Sequence, residues 1–555
     1  MERSERIGTE RFERIDRSLV IESSRCYNNK NYSFQERPAE RPCSLQKCAG
    51  TREYQLRGWI MKKLTELLDG IDYKVLLGSE DVEISGIVND SRKVKAGSLF
   101  LCIRGAVADG HKYAAEVAKK GAKVLVVEEP VELPDPEKDS ITVLQVPDTR
   151  IAMARLACAW YGHPSRKMKM IGVTGTKGKT TTTYMVKSIL ESAGYKVGLI
   201  GTIETLIGNE RIPAANTTPE SLTLQEYLAK MVKEGCQAVV MEVSSQALML
   251  HRVEGIIFDI GVFTNISADH IGPAEHSSFD DYMECKSRLF RMCRLGIFNG
   301  DDIHLGRILE GHTCEVETYG MKETDNLYAV DAKLIARPGY LGTSYLVKGE
   351  MEFRVETDIP GRFSVFNSLC AIAICRHFEG VTEEILRSAL KDIRVKGRVE
   401  LVKVSDDFIL MIDYAHNAMA LESLLTTLRE YHPSRLVCMF GCGGNRARSR
   451  RYEMGETSGR MADFTIITSD NPRYEDPEAI MDDIETGIRR TNGKYIRISD
   501  RKEAIAYAIH NGKMGDIIVL AGKGHEDYQE INGKKYPMDE RVLIREILEE
   551  DAGKS

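Results

Sequence analysis

The stretch at residues 170–182, MIGVTGTKGKTTT, decides which fold we expect for the middle of the chain. Its first half has the apolar pattern of a buried β-strand, and its second half is a glycine-rich turn before a helical sequence that runs to Glu191. Glycines let the backbone fold so that N–H groups face a phosphate, and the helix N-terminus adds partial positive charge. The stretch therefore predicts a strand–loop–helix unit that binds a nucleotide.

The glycine-rich loop departs from the usual phosphate-loop pattern in one respect. Val173 stands where that pattern has its first glycine, and Gly172 lies one residue too early, which argues against an ordinary GTPase or motor ATPase. Lys179 can reach the β- and γ-phosphates, and the Thr180 hydroxyl can ligate Mg²⁺. The alternative is a glycine-rich turn with an incidental lysine. The residues that we expect to bind the nucleotide here are Gly175, Thr176, Lys177, Gly178, Lys179, Thr180 and Thr181.

The first 60 residues differ in character from the rest of the chain. They are rich in Arg, Glu and Ser and hold few aliphatic side chains, so they cannot easily bury enough apolar surface to offset the entropy of ordering. We expect residues 1–60 to be a disordered or non-native extension and Met61 to be the natural start. A functional tail is the alternative. Residues 61–70, MKKLTELLDG, predict a short helix that stops at the glycine.

Beyond Met61, apolar strand patterns alternate with helical patterns, and this alternation predicts βαβ units with mostly parallel sheets. We expect an α/β fold with domains at residues 61–161, 162–394 and 395–555. The middle domain would hold a parallel sheet like that of P-loop ATPases, and the last would be Rossmann-like. In such sheets ligands gather at the carboxyl ends of strands, where this chain has polar and glycine-rich turns.

Composition excludes several classes of function. The net charge is -7, which gives no electrostatic reason to expect nucleic acid or an anionic membrane as a partner. No apolar run is long enough to cross a bilayer, and the N-terminus lacks the apolar core of a signal peptide. The 13 cysteines include no C-x-x-C pair, which favours reduced thiols, and Cys442 is expected to be a small filler in its loop. We predict a cytoplasmic monomer without membrane insertion.

Three further residues are candidates whose roles the residues alone leave open. Glu242 follows a strand pattern of the same sheet, where a carboxylate could hold Mg²⁺, but a solvated strand-end glutamate is equally consistent. His270 is a lone histidine, and such residues are more often structural than ligands. Lys286 lies in a helical pattern and, from its neighbours alone, is expected to be a surface lysine.

Together the motifs resemble the Mur ligase family. The family's T-G-T-x-G-K-T-T loop matches residues 174–181, and its A-K-x-x-L-F helix matches residues 285–290, with Cys285 in place of alanine. The resemblance covers essentially all of the chain from Met61 onward. Further matching segments are EVSS at 242–245, TNISADH at 264–270, GR at 397–398, DYAH at 413–416, GCGGNR at 441–446, DNPR at 470–473 and AGKGHE at 521–526.

The resemblance implies a three-domain ligase that binds ATP and adds an amino acid to a UDP-linked muramyl peptide. The acceptor would be UDP-N-acetylmuramoyl-L-Ala-D-Glu and the added amino acid meso-diaminopimelate, as part of peptidoglycan synthesis. The side-chain carboxylate of D-Glu would take the γ-phosphate of ATP to form an acyl phosphate, which an amine then attacks. Domain closure around three substrates should supply much of the rate.

The same resemblance assigns residues to the nucleotide, the metals and the muramyl dipeptide. Thr180 and Glu242 would hold one Mg²⁺, while His270 and a carbamylated Lys286 would hold a second, so Lys179, Lys286 and His270 are the expected catalytic residues. Asn367, Arg398 and His416 would contact ATP; without the resemblance, a strand-end capping residue is the alternative for His416. Leu250 replaces a glutamine found in some relatives. The expected dipeptide contacts are Ser91 in the UDP-binding N-terminal domain, Asn216, Thr217, Thr218, Ser244 and Arg252.

The choice of amino acid is expected to depend on Arg473. Its planar guanidinium can bind a carboxylate through two parallel hydrogen bonds, and diaminopimelate differs from lysine by one additional carboxylate. Glu526 can accept from the distal ammonium group. A solvated turn arginine is the alternative, and Asn445 stands where many relatives have Asp. The full set that the resemblance implies for diaminopimelate is Arg446, Asp470, Asn471, Pro472, Arg473, Gly522 and Glu526.

Competing functions remain at this point. Another member of the superfamily, such as a folylpolyglutamate synthase or a different Mur ligase, would share the phosphate loop but not the DNPR turn or the UDP-domain match. A nucleotide-dependent binding module without ligase activity would not need Glu242, His270 and Lys286, which are all present. A structural protein would explain none of the polar turns.

Overall fold

The structure is a computed structural model that describes residues 61–105, 108–135, 140–268, 271–272 and 275–553. The prediction for residues 1–60 lies outside this range, as does the one for His270. Within the described part of the chain, no helix has both the length and the apolar character that a membrane crossing requires. The cysteines described there are free thiols with buried side chains.

The N-terminal domain is a small α/β unit. Its sheet has the order β2-β7-β6-β5-β4, in which only β2 runs antiparallel to its neighbour. Asp148 caps α2 by accepting hydrogen bonds from two backbone N–H groups of its first turn. The elements are β1 Lys62–Lys63, β2 Lys74–Leu77, β3 Glu83–Ile84, β4 Gly86–Val88, β5 Ser98–Leu101, α1 Ala114–Lys119, β6 Val124–Val127, β7 Thr142–Gln145 and α2 Thr149–Trp160.

The helix predicted at residues 61–70 is wrong. Lys62–Lys63 form a short strand that pairs with β3, and only Leu64–Glu66 makes a turn of 3-10 helix. The three leucines of the segment are buried in the domain core, so their spacing reflects one docked turn and not a longer helix. Pairing of the extended chain with β3 outweighs the weak helical preference of so short a segment.

The central domain is built on one eleven-stranded sheet with the order β11-β10-β9-β12-β8-β13-β14-β15-β16-β17-β18. Pairing is parallel from β9 to β16 and antiparallel at both ends. The elements are β8 Lys169–Thr174, α3 Lys179–Ser192, β9 Val197–Ile200, β10 Glu204–Ile207, β11 Glu210–Pro213, α4 Ser221–Lys233, β12 Ala238–Glu242, α5 Ser245–Met249, β13 Phe258–Phe263, α6 Phe279–Ser287, β14 Cys293–Asn299, α7 Leu305–Ile308, β15 Glu315–Gly320, β16 Leu327–Arg337, β17 Tyr340–Gly349, β18 Phe353–Thr357, α8 Arg362–Cys375 and α9 Glu383–Lys391.

The position of β8 between β12 and β13 creates the site in this domain. Because the three strands are parallel, the segments that follow them meet at one edge of the sheet. The helix α3 begins directly after the loop that follows β8 and buries Met185, Val186, Ile189 and Leu190 at helical spacing against the sheet. The predicted strand–loop–helix unit is therefore confirmed.

The C-terminal domain has a six-stranded sheet with the order β19-β20-β24-β21-β22-β23, antiparallel only at β19. The ends of β20, β24, β21 and β22 are neighbours, so the polar turns at residues 413–416, 521–526, 441–446 and 470–473 gather at one edge. The elements are β19 Glu400–Val402, β20 Ile409–Asp413, α10 Ala418–Arg429, β21 Arg435–Phe440, α11 Ser449–Met461, β22 Phe464–Ile467, α12 Pro477–Ile488, β23 Tyr495–Arg497, α13 Arg501–His510, β24 Asp516–Ala521, β25 Tyr528–Ile531, β26 Lys534–Pro537 and α14 Glu540–Ala552.

This architecture confirms the expected α/β class, with a mostly parallel central sheet and a Rossmann-like last domain. The exact domain boundaries at residues 161 and 394 stay predictions.

Tyr431 joins the central and C-terminal domains through its hydroxyl group. The hydroxyl donates to the Gly342 carbonyl at 2.8 Å and accepts from the Gly361 N–H at 2.8 Å. Gly361 lies directly before α8 and has a φ of +100°, and a Cβ there would lie 2.5 Å from the Thr427 methyl carbon. At this junction, Tyr431 of the C-terminal domain bonds to backbone groups of the central domain, and Gly361 of the central domain lies directly against α10 of the C-terminal domain.

Replacement of Tyr431 by phenylalanine is expected to lower the free energy of unfolding by about 1–3 kcal/mol, because two buried backbone groups lose their partner. Urea denaturation followed by circular dichroism measures this change. Tyr536→Phe is the matched control, since Tyr536 is 49% exposed. An effect of Tyr431→Phe no larger than that of the control would contradict the role of the junction.

Candidate active site

Two glycines give the phosphate loop its shape. Gly175 has a φ of +147° and Gly178 a φ of +87°, which side-chain-bearing residues rarely adopt. A Cβ at Gly175 would overlap the Thr264 hydroxyl, and one at Gly178 would lie 2.5 Å from Asn367 Oδ1. The buried Asn367, which α8 carries, therefore packs directly against the loop, as expected for a residue near the nucleotide.

The segment after β13 holds the loop in place from the other side. The Thr264 hydroxyl donates to the Lys177 carbonyl at 2.7 Å. The Asn265 side chain accepts from the Lys177 N–H at 2.9 Å and donates to its carbonyl at 3.0 Å, and the Asn265 carbonyl accepts from the Thr176 N–H at 2.8 Å. His270 was the only residue of this segment that we predicted as a site residue, and Thr264 and Asn265 were missed. Their position after a strand of the nucleotide-binding sheet was the available signal.

Two lysine ammonium groups converge on one carbonyl oxygen of the loop. Lys179 Nζ donates to the Gly175 carbonyl at 2.9 Å and to the Thr176 carbonyl at 3.1 Å. Lys286 Nζ donates to the same Gly175 carbonyl at 2.9 Å and lies 4.5 Å from the centre of the Tyr282 ring. Lys286 is 1% exposed, so the expectation of a surface lysine is wrong. Helix α6 turns this face toward the phosphate loop, which its sequence alone does not reveal.

Glu242 is a buried carboxylate at the end of β12, beside the start of α3. One oxygen accepts from the Thr180 hydroxyl at 2.9 Å and the Thr202 N–H at 2.9 Å, and the other accepts from the Thr202 hydroxyl at 3.0 Å. Glu242 is 1% exposed, which contradicts the alternative of a solvated strand-end residue. No described Lys, Arg or His forms an ion pair with it. A buried carboxylate next to a hydroxyl oxygen, with its charge unmatched among these residues, fits a hard divalent cation such as Mg²⁺.

Three of the residues expected to contact the muramyl dipeptide form one cluster beside Glu242. The buried Thr218 hydroxyl donates to the Glu242 carbonyl at 2.8 Å and accepts from the Ser244 N–H at 3.1 Å. Arg252 donates to the Thr218 carbonyl at 3.0 Å and pairs with Glu220 at 2.6 Å. A cation and two hydroxyl groups thus lie next to the nucleotide site.

The other expected dipeptide contacts are less closely connected. The Thr217 hydroxyl lies 3.1 Å from the Thr202 hydroxyl, which itself contacts Glu242, whereas Asn216 is exposed. Ser91 belongs to the N-terminal domain, where it begins a 3-10 helix and its carbonyl accepts from Lys120 at 3.1 Å.

In the C-terminal domain, a fully buried lysine connects two residues expected to bind the amino acid. Lys523 Nζ donates to Asn471 Oδ1 at 3.0 Å, to Glu526 Oε2 at 2.7 Å and to the Tyr528 carbonyl at 2.5 Å. The Asn471 amide nitrogen donates to the same Glu526 oxygen at 2.9 Å. Burial acts to raise the pKa of Glu526, but the charge and hydrogen bond of Lys523 outweigh it, and the pKa lies below its usual range. Lys523 lies in the AGKGHE segment but was not among the predicted site residues.

Arg473 is held in a fixed orientation and does not extend into bulk water. Its side chain is 23% exposed; Nε donates to Glu530 Oε2 at 3.1 Å and Nη1 donates to the Gly444 carbonyl at 2.7 Å. Its backbone N–H donates to the Glu530 carbonyl at 3.0 Å, at a φ of +54°. Nη2 has no protein acceptor among the described residues. Glu530 was missed because nothing in its local sequence connects it with Arg473.

The remaining residues of the expected amino-acid set divide into two groups. Asp470 and Pro472 are buried, and a Cβ at Gly522 would lie 3.2 Å from Asp470 Oδ2, so Gly522 lies against Asp470. Arg446 is exposed and forms no side-chain hydrogen bond with a described residue. Its turn lies beside the 470–473 turn, because the Gly444 N–H donates to the Asn471 carbonyl at 2.8 Å, and the role of Arg446 stays a prediction.

Arg398 and two histidines line the adjacent turns. The Arg398 guanidinium lies 4.6 Å from the centre of the Tyr414 ring, and His416 Nδ1 lies 2.8 Å from the Tyr414 carbonyl. Burial together with Arg398 lowers the pKa of His525 to about 4, whereas His416 is exposed. The His525 imidazole is therefore neutral at physiological pH, and Arg398 supplies the positive charge. Tyr414 and His525 were not among the expected site residues.

Three family models match consecutive parts of the chain. The model described as Mur ligase family, catalytic domain, matches residues 83–161; Mur ligase middle domain matches 173–375; and Mur ligase, glutamate ligase domain, matches 397–524. The phosphate loop and the polar turns at residues 413–416, 441–446 and 470–473 lie within these matches. The chain belongs to the Mur ligase family.

Its relatives within the family carry a more specific name. The chain is 44% identical over 490 residues to UDP-N-acetylmuramoyl-L-alanyl-D-glutamate--2,6-diaminopimelate ligase of Caldanaerobacter subterraneus subsp. tengcongensis, covering 88% of this chain and 99% of the relative. A protein of Clostridium acetobutylicum with the same name, numbered 1, is 42% identical over 493 residues, with 88% and 99% covered. A solved structure of a ligase of this name is 28% identical, has a TM-score of 0.65, and is matched over 89% of this chain and 100% of its own.

Proposed function

We propose that the chain is the ATP-dependent ligase that joins 2,6-diaminopimelate to the D-glutamyl side chain of UDP-N-acetylmuramoyl-L-alanyl-D-glutamate in peptidoglycan synthesis. The observation that carries the proposal is the placement of Arg473 and Glu526 around Asn471. A cation and an anion at one edge of the sheet complement the carboxylate and ammonium groups at the distal end of diaminopimelate. The names of the relatives, at 38–44% identity, support the same substrates.

The first step of the proposed reaction takes place at the phosphate loop. The loop N–H groups and Lys179 would bind the β- and γ-phosphates, and Thr218, Ser244 and Arg252 would hold the dipeptide beside them. The D-glutamyl carboxylate attacks the γ-phosphorus, the bond to the β-phosphate oxygen breaks, and an acyl phosphate and ADP form. Lys179 stabilises the charge that spreads over the transferred group.

Thr180 and Glu242 are the residues that would bind one Mg²⁺. A carbamylated Lys286 and His270 are the proposed ligands of a second. The chemistry that Mg²⁺ supplies is charge neutralisation, which lets the phosphates and the substrate carboxylate approach each other. A carbamate would turn the cationic Lys286 side chain into an anionic oxygen donor.

The second step joins the amino acid. Arg473 and Glu526 would orient diaminopimelate so that its free amine faces the acyl carbon; the amine attacks, the amide bond forms and phosphate leaves. Asn367 on the central domain and Arg398 and His416 on the C-terminal domain would contact ATP from the two sides of the junction at Tyr431. Positioning of three substrates then accounts for much of the acceleration.

The direct test is phosphate release by the purified chain with ATP, the UDP-muramyl dipeptide and either meso-diaminopimelate or L-lysine. We expect release that depends on diaminopimelate, with a product of the corresponding mass. Equal or better use of lysine would contradict the proposed specificity. Activity with a folate acceptor or with a UDP-muramyl acceptor lacking D-Glu would assign a different member of the superfamily.

Lys523→Met is expected to raise KM for diaminopimelate by about 10–100-fold with a much smaller change in kcat, because Lys523 fixes Asn471 and Glu526 without reaching the substrate. It should also move the acid limb of the kcat/KM profile to higher pH. Without Lys523, burial dominates and raises the pKa of Glu526, so this carboxylate becomes protonated at a higher pH than before.

The pH profile separates this role from general destabilisation, which would lower activity at every pH. Lys502→Met serves as the control, because Lys502 lies on α13 and pairs with two glutamates of α14, Glu546 and Glu550. An unshifted acid limb together with an unchanged KM would rule out Lys523 as a positioning residue.

A further inference from the structure

A histidine, an aspartate and a cysteine meet at the start of helix α6 and along it. His276 Nδ1 lies 3.5 Å from Asp281 Oδ2, and Cys285 Sγ lies 3.6 Å from Asp281 Oδ1. One donor atom from each of the three residues lies within 4.8 Å of the other two. Three different metal-binding groups therefore surround one point.

The distances between these groups are close to those of a zinc site. Zinc bonds to nitrogen, oxygen and sulfur are about 2.0–2.3 Å long, which places neighbouring donor atoms about 3.3–3.7 Å apart. The two carboxylate oxygens of Asp281 lie at such distances, Oδ2 from His276 Nδ1 and Oδ1 from Cys285 Sγ, and one donor atom of each residue lies within 4.8 Å of the others. Mg²⁺ prefers oxygen donors alone, so an imidazole and a thiolate select a softer ion of the zinc class.

The surroundings orient the donors. His276 Nε2 lies 2.8 Å from the Ser245 hydroxyl, which fixes the ring with Nδ1 toward Asp281, and Asp281 accepts from the Ser277 N–H at 3.0 Å. His276 and Cys285 are fully buried, whereas the Asp281 side chain is 33% exposed. An ion would therefore enter from the Asp281 side, and water could occupy its fourth position.

The thiol of Cys285 distinguishes this site from the proposed Mg²⁺ sites. Cys285 is fully buried, and its Sγ contacts Asp281, not the phosphate loop. The cluster nevertheless lies on the helix that carries Tyr282 and Lys286. The Tyr282 hydroxyl lies 3.1 Å from the Thr176 hydroxyl, and Lys286 contacts Gly175, so α6 is in direct contact with the phosphate loop.

We propose that His276, Asp281 and Cys285 form a binding site for a divalent cation of the zinc class, through which such an ion restrains α6 and inhibits nucleotide turnover. On binding, the S–H bond of Cys285 breaks, its proton passes to solvent and a metal–sulfur bond forms, with no change of oxidation state. The metal site itself does not depend on the proposed function; only the inhibition does.

The test uses the full chain, freed of metal by a chelator, and Co²⁺ as a spectroscopic probe for the zinc position. We expect a near-ultraviolet thiolate-to-cobalt absorption band that saturates at one equivalent and disappears when Zn²⁺ is added. Cys285→Ala should abolish the band and weaken Zn²⁺ binding by about 100-fold or more. Cobalt at the oxygen-lined Glu242 position gives no such band, so the signal reports the sulfur site alone.

Cys236→Ala is the matched control, since Cys236 is another buried cysteine of the same domain. It should keep the band, and His276→Gln should weaken binding while Cys285 remains. Absence of a thiolate band in the unaltered chain, or a band that survives Cys285→Ala, would overturn the site. If the band behaves as expected but added Zn²⁺ inhibits the unaltered chain and Cys285→Ala equally, the inhibitory role is wrong and the metal site stands.

Discussion

Arg473→Ala is expected to lower kcat/KM for diaminopimelate by about 10²–10³-fold, while KM for ATP changes little. The guanidinium is held by Glu530 and the Gly444 carbonyl, with Nη2 left to bind a substrate carboxylate. Truncating one partner of a largely buried charge pair costs about 2–5 kcal/mol, and about 1.4 kcal/mol corresponds to a tenfold change. Steady-state phosphate release with each substrate varied in turn measures both constants.

Two companion variants separate recognition from disruption of the turn. Arg473→Lys keeps the positive charge but loses the planar fork, so it should recover only part of the activity. Arg473→Ala also leaves Glu530 without its partner, and Glu530→Gln removes that charge while keeping Arg473; we expect a smaller loss, of about tenfold. Arg460→Ala, at a 55% exposed side chain, is the neutral control. Unchanged diaminopimelate kinetics in Arg473→Ala would refute the assignment.

In the structure, both charged residues expected to bind the distal end of the amino acid already form an ion pair within the protein. Arg473 is paired with Glu530, and Glu526 is paired with Lys523. Asn471 lies between the two pairs, because its Oδ1 accepts from both Lys523 Nζ and the Glu530 N–H. The charges of Arg473 and Glu526 are therefore each matched before substrate binds. A zwitterionic end group adds no net charge to the site, whereas the lone ammonium of lysine would leave Arg473 without a carboxylate to bind.

The sequence predicted those features that depend on local order. The strand–loop–helix unit and the polar turns follow from glycine placement and apolar periodicity, which a window of a few residues contains. Lys286 shows the limit of such reasoning, because its burial depends on which face of α6 packs against the phosphate loop. Glu530 and Lys523 lie 57 and 52 residues along the chain from Arg473 and Asn471. Only the folded sheet brings such partners together, and no local pattern records their pairing.

Lys286→Ala is expected to lower kcat by about 10²–10³-fold, the usual cost of losing one group that stabilises developing charge. The side chain is buried and its Nζ contacts the carbonyl of Gly175 in the phosphate loop. Lys286→Arg distinguishes the two forms in which this side chain could act. If an ammonium cation is what the reaction needs, arginine preserves the charge and much of the rate. If a carbamate is needed, arginine fails as completely as alanine.

We expect arginine to fail, and labelling with ¹³C-bicarbonate to give a carbamate resonance in the unaltered chain that both variants lack. Lys233→Ala, at an exposed position on α4, should retain both the resonance and the rate. Thermal unfolding of each variant separates lost chemistry from lost structure. Full turnover by Lys286→Ala would remove Lys286 from the reaction. An active Lys286→Arg without the resonance would instead assign its role to the cation, since arginine keeps the charge but takes up no CO₂.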